Sequence, residues 1–280
     1  MHPADPPGAH ADDDALFAEL RSLCRTLAQG AGEIALAGRA EAIGAAELGN
    51  DTKSSATDIA TEFDRAAEAH IVGILRERRP DDAIVGEEGT SDSGTSGFEW
   101  FIDPIDGTTN YVYDQPGWSN SVAVARNGEM VAAAVFVPPL NEMFSAALGG
   151  GATLDDRPIS ASGETELHLA LVGTGFGYQP EMRRRQAEQI VEIIAQVRDI
   201  RRLGSAAFDL CMVACGRLDV YYELELNSWD AAAGELIARE AGAVTSDFDG
   251  DRARPEQIVA SAPGVHAAFL AALRAGRPGD

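Results

Sequence analysis

The chain has 280 residues, 45% of them apolar, enough to bury a full core as one large domain or two closely packed halves. Its formal net charge of −23 repels nucleic-acid phosphates and anionic membranes, and it would repel a phosphorylated ligand unless local positive charge intervened. Lys53 is the single lysine and the arginines are spread along the chain, which leaves metal ions as the other source of that charge.

The opening stretch MHPADPPGAHADDD has neither a basic start nor an apolar run. It reads as a disordered acidic tail over residues 1–14 rather than a secretory signal. The longest apolar run, Met130 to Val137, stops at Pro138 and Pro139 and is too short to cross a bilayer, so a cytoplasmic location is expected. Three cysteines, Cys24, Cys211 and Cys215, argue against a disulfide framework in a chain of this length. Cys211 and Cys215 share a predicted helix and read as small buried core side chains rather than a metal or redox pair.

Apolar positions at helical spacing (Leu16, Leu20, Leu23, Leu27, Ile34) predict a helix over 14–38, with Asp12 to Asp14 suiting its start. Ile59, Phe63, Ala66, Ile71 and Ile74 predict a second over 58–78. The period then changes. Ala83 to Gly86 and Trp100 to Ile102 are β-type runs ending in acidic residues, and Ser121 to Ala125 and Met130 to Val137 are joined by the hairpin signal Asn127-Gly128. Glu142 to Leu148 continues the meander, and Gly149-Gly150-Gly151 marks a turn or hinge near a soft boundary at 148. In the second half, His168–Gly173, Leu218–Tyr222 and Gln257–Ser261 read as strands. Glu181–Val197, Ser205–Cys215, Trp229–Ala241 and Gly264–Leu273 read as helices. Hairpins mixed with helices give a layered α+β class.

Three segments carry the chemistry. In WFIDPIDGTTN (100–110) a buried strand is expected to end at Asp103. Pro104 forbids a helix there, so Asp103 and Asp106 fall on a turn. Gly107 permits close backbone approach, and Thr108-Thr109-Asn110 opens a helix whose free N–H groups suit an anion; the plain reading is a capped strand–turn–helix. Gly86-Glu87-Glu88-Gly89 is either a solvated acidic turn or a set of hard-cation ligands. Ser228-Trp229-Asp230 opens a helix, where Asp230 is electrostatically favoured with or without a function. If Glu87, Asp103, Asp106 and Asp230 converge, like charges about 4 Å apart cost roughly 4 kcal/mol per pair at an effective dielectric near 20. Cations must then compensate, and all-oxygen ligands select Mg²⁺, Mn²⁺ or Ca²⁺ over zinc. The five histidines have no zinc spacing, and His70 reads as structural.

These segments, with GSAAFDLCMVACGRLDVYYE (204–223), SWDAAAGELIAREAGA (228–243) and KSSATDIATEFD (53–64), resemble the inositol monophosphatase family, its bacterial members in particular, over about residues 15–273. The resemblance implies a single domain over 15–275 with halves of about 15–148 and 149–275. It implies a layered α/β/α/β/α sandwich of the sugar-phosphatase type, with mixed, mostly antiparallel sheets. It implies Mg²⁺-dependent hydrolysis of a small phosphate monoester, inositol monophosphate foremost, by a lithium-sensitive homodimer with two or three ions per site and Mn²⁺ able to substitute. Glu87, Asp103, the Ile105 carbonyl, Asp106, Asp230 and Thr108 would serve the metals. Gly107 and Thr108 N–H groups would hold the phosphate, and Asp106, Ala206, Glu223 and Asp230 would face the polyol. Glu87, Thr108 and Asp106 would be catalytic, Lys53 would lie near the metal loop, and Asp64 is a family aspartate in that neighbourhood. The implied mechanism is in-line attack by a water, without a phosphoenzyme. Histidinol phosphate, fructose 1,6-bisphosphate, NADP and 3′-phosphoadenosine 5′-phosphate fit the same metal site, and a non-catalytic partner of the transcription machinery is the reading from another class. The short loop between Glu88 and Trp100 and the GGGATLDDRP turn depart from the family pattern and bear on substrate access.

Overall fold

The computed structural model describes residues 11–41, 51–52 and 59–275. Helix α1 (Ala11–Glu41) carries Asp12, Asp13 and Asp14 in its first turn and Arg39 in its last, the arrangement that complements a helix dipole. It buries Phe17, Leu20, Cys24, Leu27 and Ala31 along one face. Residues 11–14 are therefore its first turn and not part of a tail. The next helix, α2 (Glu62–Arg78), begins later than its periodicity suggests. Thr61 caps it through a capping box with Asp64, and the preceding residues pair instead as β1 (Asp51–Thr52) and β2 (Ile59–Ala60).

Eight strands form the larger sheet: β3 (Ala83–Gly86), β4 (Ser91–Asp92), β5 (Phe98–Asp106), β6 (Ser119–Arg126), β7 (Glu129–Val137), β8 (Glu142–Ala147), β9 (Gly151–Leu154) and β10 (Arg157–Pro158). Their order is β10-β9-β8-β7-β6-β5-β3-β4, with β3 and β5 as the parallel pair. Asn127 and Gly128 both take positive φ at the β6–β7 turn, as a tight primed hairpin requires. The boundary expected near residue 148 falls inside this sheet, because β9 and β10 extend it. A smaller sheet holds β11 (Leu171–Thr174), β12 (Asp199–Arg201), β13 (Val220–Leu224), β14 (Val244–Ser246) and β15 (Gln257–Ser261), in the order β12-β11-β13-β15-β14. The first two residues of the expected strand His168–Gly173 lie in a 3₁₀ turn (Leu167–Leu169), and pairing starts only at Leu171.

Five layers follow from which faces are apolar. Trp100, Ile102, Val122, Val124, Ala132 and Ala134 pack with α1 and α2. Their alternates Phe101, Ala123, Ala125, Ala133 and Val135 pack with α5 (Ala206–Ala214) and α6 (Ser228–Glu240), and Tyr221 of the smaller sheet joins that cluster. Val220 and Tyr222 face the other way, toward Phe269 and Leu273 of α7 (His266–Ala275) and Ile193 of α4 (Pro180–Ile194). The period-two alternation thus sandwiches α5 and α6 between the sheets. Cys24 and Cys211 are wholly buried, and burial pushes the Cys211 thiol upward. His70 fills the space over Gly30 where α1 and α2 meet. Among the described residues no helix is long and apolar enough to cross a membrane.

Candidate active site

The first wall of the site is the end of β5. The strand does not stop at Asp103, as the proline suggested. Pairing with β6 runs to Asp103↔Ser121, slips, and resumes at Asp106↔Ser119. Pro104 offers no N–H to the ladder, so the slip falls there, and the Asn120 side-chain amide donates to the Pro104 carbonyl. Both aspartates are thereby held on a bulged strand end instead of a turn. Asp103 Oδ1 accepts the Ile105 N–H at 3.1 Å. Gly107, at φ 94, caps the short helix α3 (Thr108–Val112). A Cβ there would lie 2.8 Å from the Gly117 carbonyl oxygen and 3.0 Å from that of Gly204, so the position requires glycine twice over.

The second wall comes from α2 and the turn after β3. Asp64 is fully buried. Its Oδ2 accepts the Thr61 N–H at 2.8 Å and the Thr61 hydroxyl at 2.6 Å, and the Thr108 hydroxyl lies 3.1 Å from its Oδ1. One helical turn on, Glu68 accepts hydrogen bonds from the turn that carries Glu87 and Glu88.

The third wall comes from the second half. Ser205, the N-cap of α5, donates to Asp106 Oδ2 at 2.7 Å, and the Ala207 N–H donates to the same oxygen at 2.7 Å. Asp230 stands at the third position of α6, where its Oδ2 accepts the Asn227 N–H at 2.7 Å. Glu223 closes β13 and accepts the Tyr221 hydroxyl.

These walls enclose a cavity of about 370 Å³. It is lined by Glu87, Asp103, Ile105, Asp106, Gly107, Thr108, Ala206, Glu223 and Asp230, so every described residue expected at the site faces one space. Lys53 lies outside the described residues. The remaining lining includes Glu225, Trp229, the 175–179 loop and Arg202, among the described residues the one basic side chain against six acidic ones. A second cavity of about 310 Å³ lies behind α6. Its charged side chains Glu129, Glu235, Arg239 and Arg252 are paired with one another and Arg254 with Asp247, which leaves little for a charged ligand.

Burial and mutual repulsion dominate the electrostatics. Desolvation raises Asp103 well above the ordinary carboxylate range, reinforced by the charges of Glu87, Asp106 and Asp230 and by a hydrogen bond shared with Glu87. Desolvation likewise raises Asp230, aided by Asp106 and Glu87. Asp106 is pushed by burial to about 6 despite the Ser205 and Ala207 bonds that oppose it. Burial takes Asp64 to about 6 and Glu223 to about 7. Among the described residues, no group of three or more His, Cys, Asp or Glu side chains is drawn together as a ready cage for an ion. The carboxylates instead stand around the open cavity, each raised by its neighbours, with Ile105 beside them and no histidine or cysteine in the lining. That donor set is all oxygen and over-negative, and it fits a hard divalent cation.

Sequence reasoning missed Ser205, Glu68, Asn110, Arg202 and the 175–179 loop. Ser205 had a signal, since a serine ahead of an apolar helical run is an N-cap. Asn110 donates to the Gly117 carbonyl at 2.5 Å and to the Leu203 carbonyl at 2.7 Å, a tie between the two halves that no local pattern announces.

Comparison with known proteins agrees with this geometry. Residues 18–277 match the model of the inositol monophosphatase family. The "Inositol-1-monophosphatase SuhB" of Mycobacterium tuberculosis is 42% identical over 272 residues, covering 92% of this chain and 94% of its own. The "Nus factor SuhB" of Vibrio cholerae is 40% identical over 236 residues, covering 82% and 87%. The crystal structure of the extragenic suppressor protein suhB from Bartonella henselae superposes with a TM-score of 0.86 at 31% identity, covering 91% of this chain and 98% of that one. A layered α+β sandwich with an acid-lined cavity at the junction of its halves is the fold of a sugar-phosphatase-type hydrolase. The chain belongs to the inositol monophosphatase family, and it is a phosphoric monoester hydrolase of the metal-dependent kind that the family comprises.

Proposed function

We propose that the chain hydrolyses small polyol phosphate monoesters, inositol monophosphate foremost, with Mg²⁺ as its ion. The observation that carries the reading is the convergence of Glu87, Asp103, Asp106 and Asp230 from three walls on one cavity, close enough for the other three to raise Asp103, while Glu223 lines the same cavity. Glu87, Asp103, Asp106, Asp230 and the Ile105 carbonyl would hold two or three Mg²⁺, with Mn²⁺ able to substitute. When bound, such ions supply positive charge to the phosphoryl oxygens and to the leaving oxygen.

The remaining roles belong to the chain's own groups. Ionised Asp64 accepts the Thr108 proton, which leaves the Thr108 oxygen lone pairs free to accept from a water in the cavity. Thr108 and Glu87 orient that water for in-line attack. Gly107 and Thr108 N–H groups hold the phosphate, with the glycine allowing the left-handed backbone at that turn. Ala206, Asp106, Glu223 and Asp230 face the polyol, and Asp230 positions the water that protonates the leaving oxygen. We read the enzyme as a cytoplasmic homodimer formed from a single catalytic unit. Similarity to the Nus factor SuhB of Vibrio cholerae favours a second reading, a protein-binding role in transcription, which Asp230→Asn separates from catalysis: rescue of a cellular phenotype without turnover would support it.

The test is a phosphate-release screen of metal-free protein against inositol 1-phosphate, glycerol 2-phosphate, histidinol phosphate, fructose 1,6-bisphosphate and 3′-phosphoadenosine 5′-phosphate, with and without Mg²⁺. Turnover of the polyol monophosphates only with Mg²⁺ is expected. Preference for a nucleotide or for histidinol phosphate would overturn the substrate reading.

A further inference from the structure

Glu68 is 4% exposed, within the apolar packing between α2 and the sheet. Its carboxylate makes three hydrogen bonds, all to one short segment. Oε2 accepts the Glu88 N–H at 2.7 Å, while Oε1 accepts the Thr90 N–H at 3.1 Å and the Thr90 hydroxyl at 2.6 Å. It makes no ion pair among the described residues. Gly86 completes the cradle, because a Cβ there would sit 2.5 Å from Glu68 Oε2 and 2.8 Å from Oε1. The segment therefore wraps a buried anion at residues 86, 88 and 90, and Glu87, the residue between the first two contacts, faces the cavity.

A buried charge held only by N–H and O–H donors is costly, and a turn of this length closes by itself: the Gly86 N–H already donates to the Thr90 carbonyl at 2.9 Å. The Glu87 N–H is also tied, to the Ile102 carbonyl at 3.1 Å. What the Glu68 carboxylate adds is a rigid tether from α2. It lies four residues beyond Asp64, so one face of α2 reaches both the Thr108 hydroxyl through Asp64 and the Glu87 turn through Glu68. Short bonds to an ionised acceptor are among the stronger tethers available, and groups that orient a ligating residue govern affinity for the ion.

We propose that Glu68 is a positioning residue that fixes the 86–90 turn on α2 and thereby sets the carboxylate of Glu87 for metal binding. The proposal rests on the reading of Glu87 as a metal ligand. It predicts that loosening the tether weakens the ion's hold without removing the chemistry.

The experiment is calorimetric titration of Mg²⁺ into the metal-free, full-length protein without substrate. Wild type is compared with Glu68→Gln, Thr90→Val and Glu87→Gln, alongside kcat at saturating Mg²⁺ and the far-UV spectrum. Glu68→Gln turns an NH₂ toward an N–H donor and should weaken Mg²⁺ binding ~10-fold, with kcat at saturating metal within about threefold of wild type. Thr90→Val keeps the acid, removes one donor, and should weaken binding by a smaller factor. It carries the test should Glu68→Gln not fold. Folded variants that bind Mg²⁺ as wild type does, beside a weakened Glu87→Gln, would overturn the role of Glu68 alone. A Glu87→Gln variant with undiminished affinity would instead overturn the metal-ligand reading, and the proposal with it.

Discussion

The Thr108 hydroxyl lies 3.1 Å from Asp64 Oδ1, and the other oxygen of that carboxylate is saturated by the Thr61 N–H and hydroxyl. The Ile105 carbonyl, also 3.1 Å from the hydroxyl, competes for its one proton, but an ionised carboxylate is the stronger acceptor. The aspartate thus sets the direction in which Thr108 presents its lone pairs.

Removing that hydroxyl while keeping the shape should expose its role. Thr108→Val should lower kcat by ~10²-fold, the scale of losing one well-placed polar group in a transition state. Thr108→Ser should lose less than tenfold. The measurement is kcat at saturating Mg²⁺ and substrate. A fall confined to KM in the valine variant would mean that Thr108 binds substrate and does not orient the water.

Metal removal should abolish turnover. Chelator-treated protein should be inactive and recover with Mg²⁺, because a cavity lined by Glu87, Asp103, Asp106, Glu223, Glu225 and Asp230 repels a phosphate until cations offset that charge. Asp103→Asn, Asp106→Asn and Asp230→Asn should each cost ~10²-fold or more in activity. The same changes should leave the metal-free fold intact, and Asp103→Asn should raise its Tm, since the Glu87, Asp106 and Asp230 charges all oppose ionisation there. Full activity in excess chelator would end the metal reading.

The raised carboxyls also fix the sign of a pH effect. Asp64 and Asp106 titrate at about 6 and Glu223 at about 7 in the folded chain, against ordinary values near 4 when unfolded. Between those limits the native metal-free protein holds more protons than the unfolded chain. Stability from these groups is therefore full below about pH 4 and lost as pH rises through about 6 to 7. Metal-free protein should melt higher at about pH 5.5 than at about pH 8. Saturating Mg²⁺ should reverse the slope, since binding favours ionised ligands. Calorimetric Tm across that range, with and without chelator, checks both signs.

Much of this site could be read from the chain because its residues sit in short local patterns. Asp103, Asp106, Gly107 and Thr108 fall within one hairpin-flanked segment, and Asp230 opens a strongly periodic helix. Legibility failed where the determinant is non-local. The 103–106 bulge depends on β6 supplying Ser121, Ser119 and Asn120, so a proline that looked like a strand end is a slip in a continuing strand. Ser205 reaches Asp106 across 99 positions of sequence, and Glu68 reaches Glu88 across 20. Neither distance leaves a periodic trace. The start of α1 shows a different limit: Asp12 to Asp14 have the composition of a tail and also suit a helix N-terminus, and it is the latter that holds, with the helix beginning at Ala11.

On the proposed reading, substrate choice rests on the polyol side of the cavity and on Glu223 in particular, because the metals and the Gly107 turn would address the phosphate of any monoester alike. Glu223 stands there with its carboxylate in the space a side chain at Gly175 would occupy, oriented by the Tyr221 hydroxyl. A carboxylate accepts hydroxyl hydrogen bonds and repels a second phosphate, and Glu225 lines the same cavity. The enzyme should therefore prefer inositol 1-phosphate or glycerol 2-phosphate to fructose 1,6-bisphosphate. Glu223→Gln should weaken discrimination among polyols by roughly 1–3 kcal/mol, the scale of a hydrogen bond to a charged group, and leave an aryl phosphate almost unaffected. Gly175→Ala should reproduce that pattern without touching the acid, because its methyl group displaces the Glu223 carboxylate. The comparison is kcat/KM for each substrate across the three proteins. Equal losses on polyol and aryl substrates, or faster wild-type turnover of the bisphosphate at low concentration, would show that Glu223 does not select the alcohol.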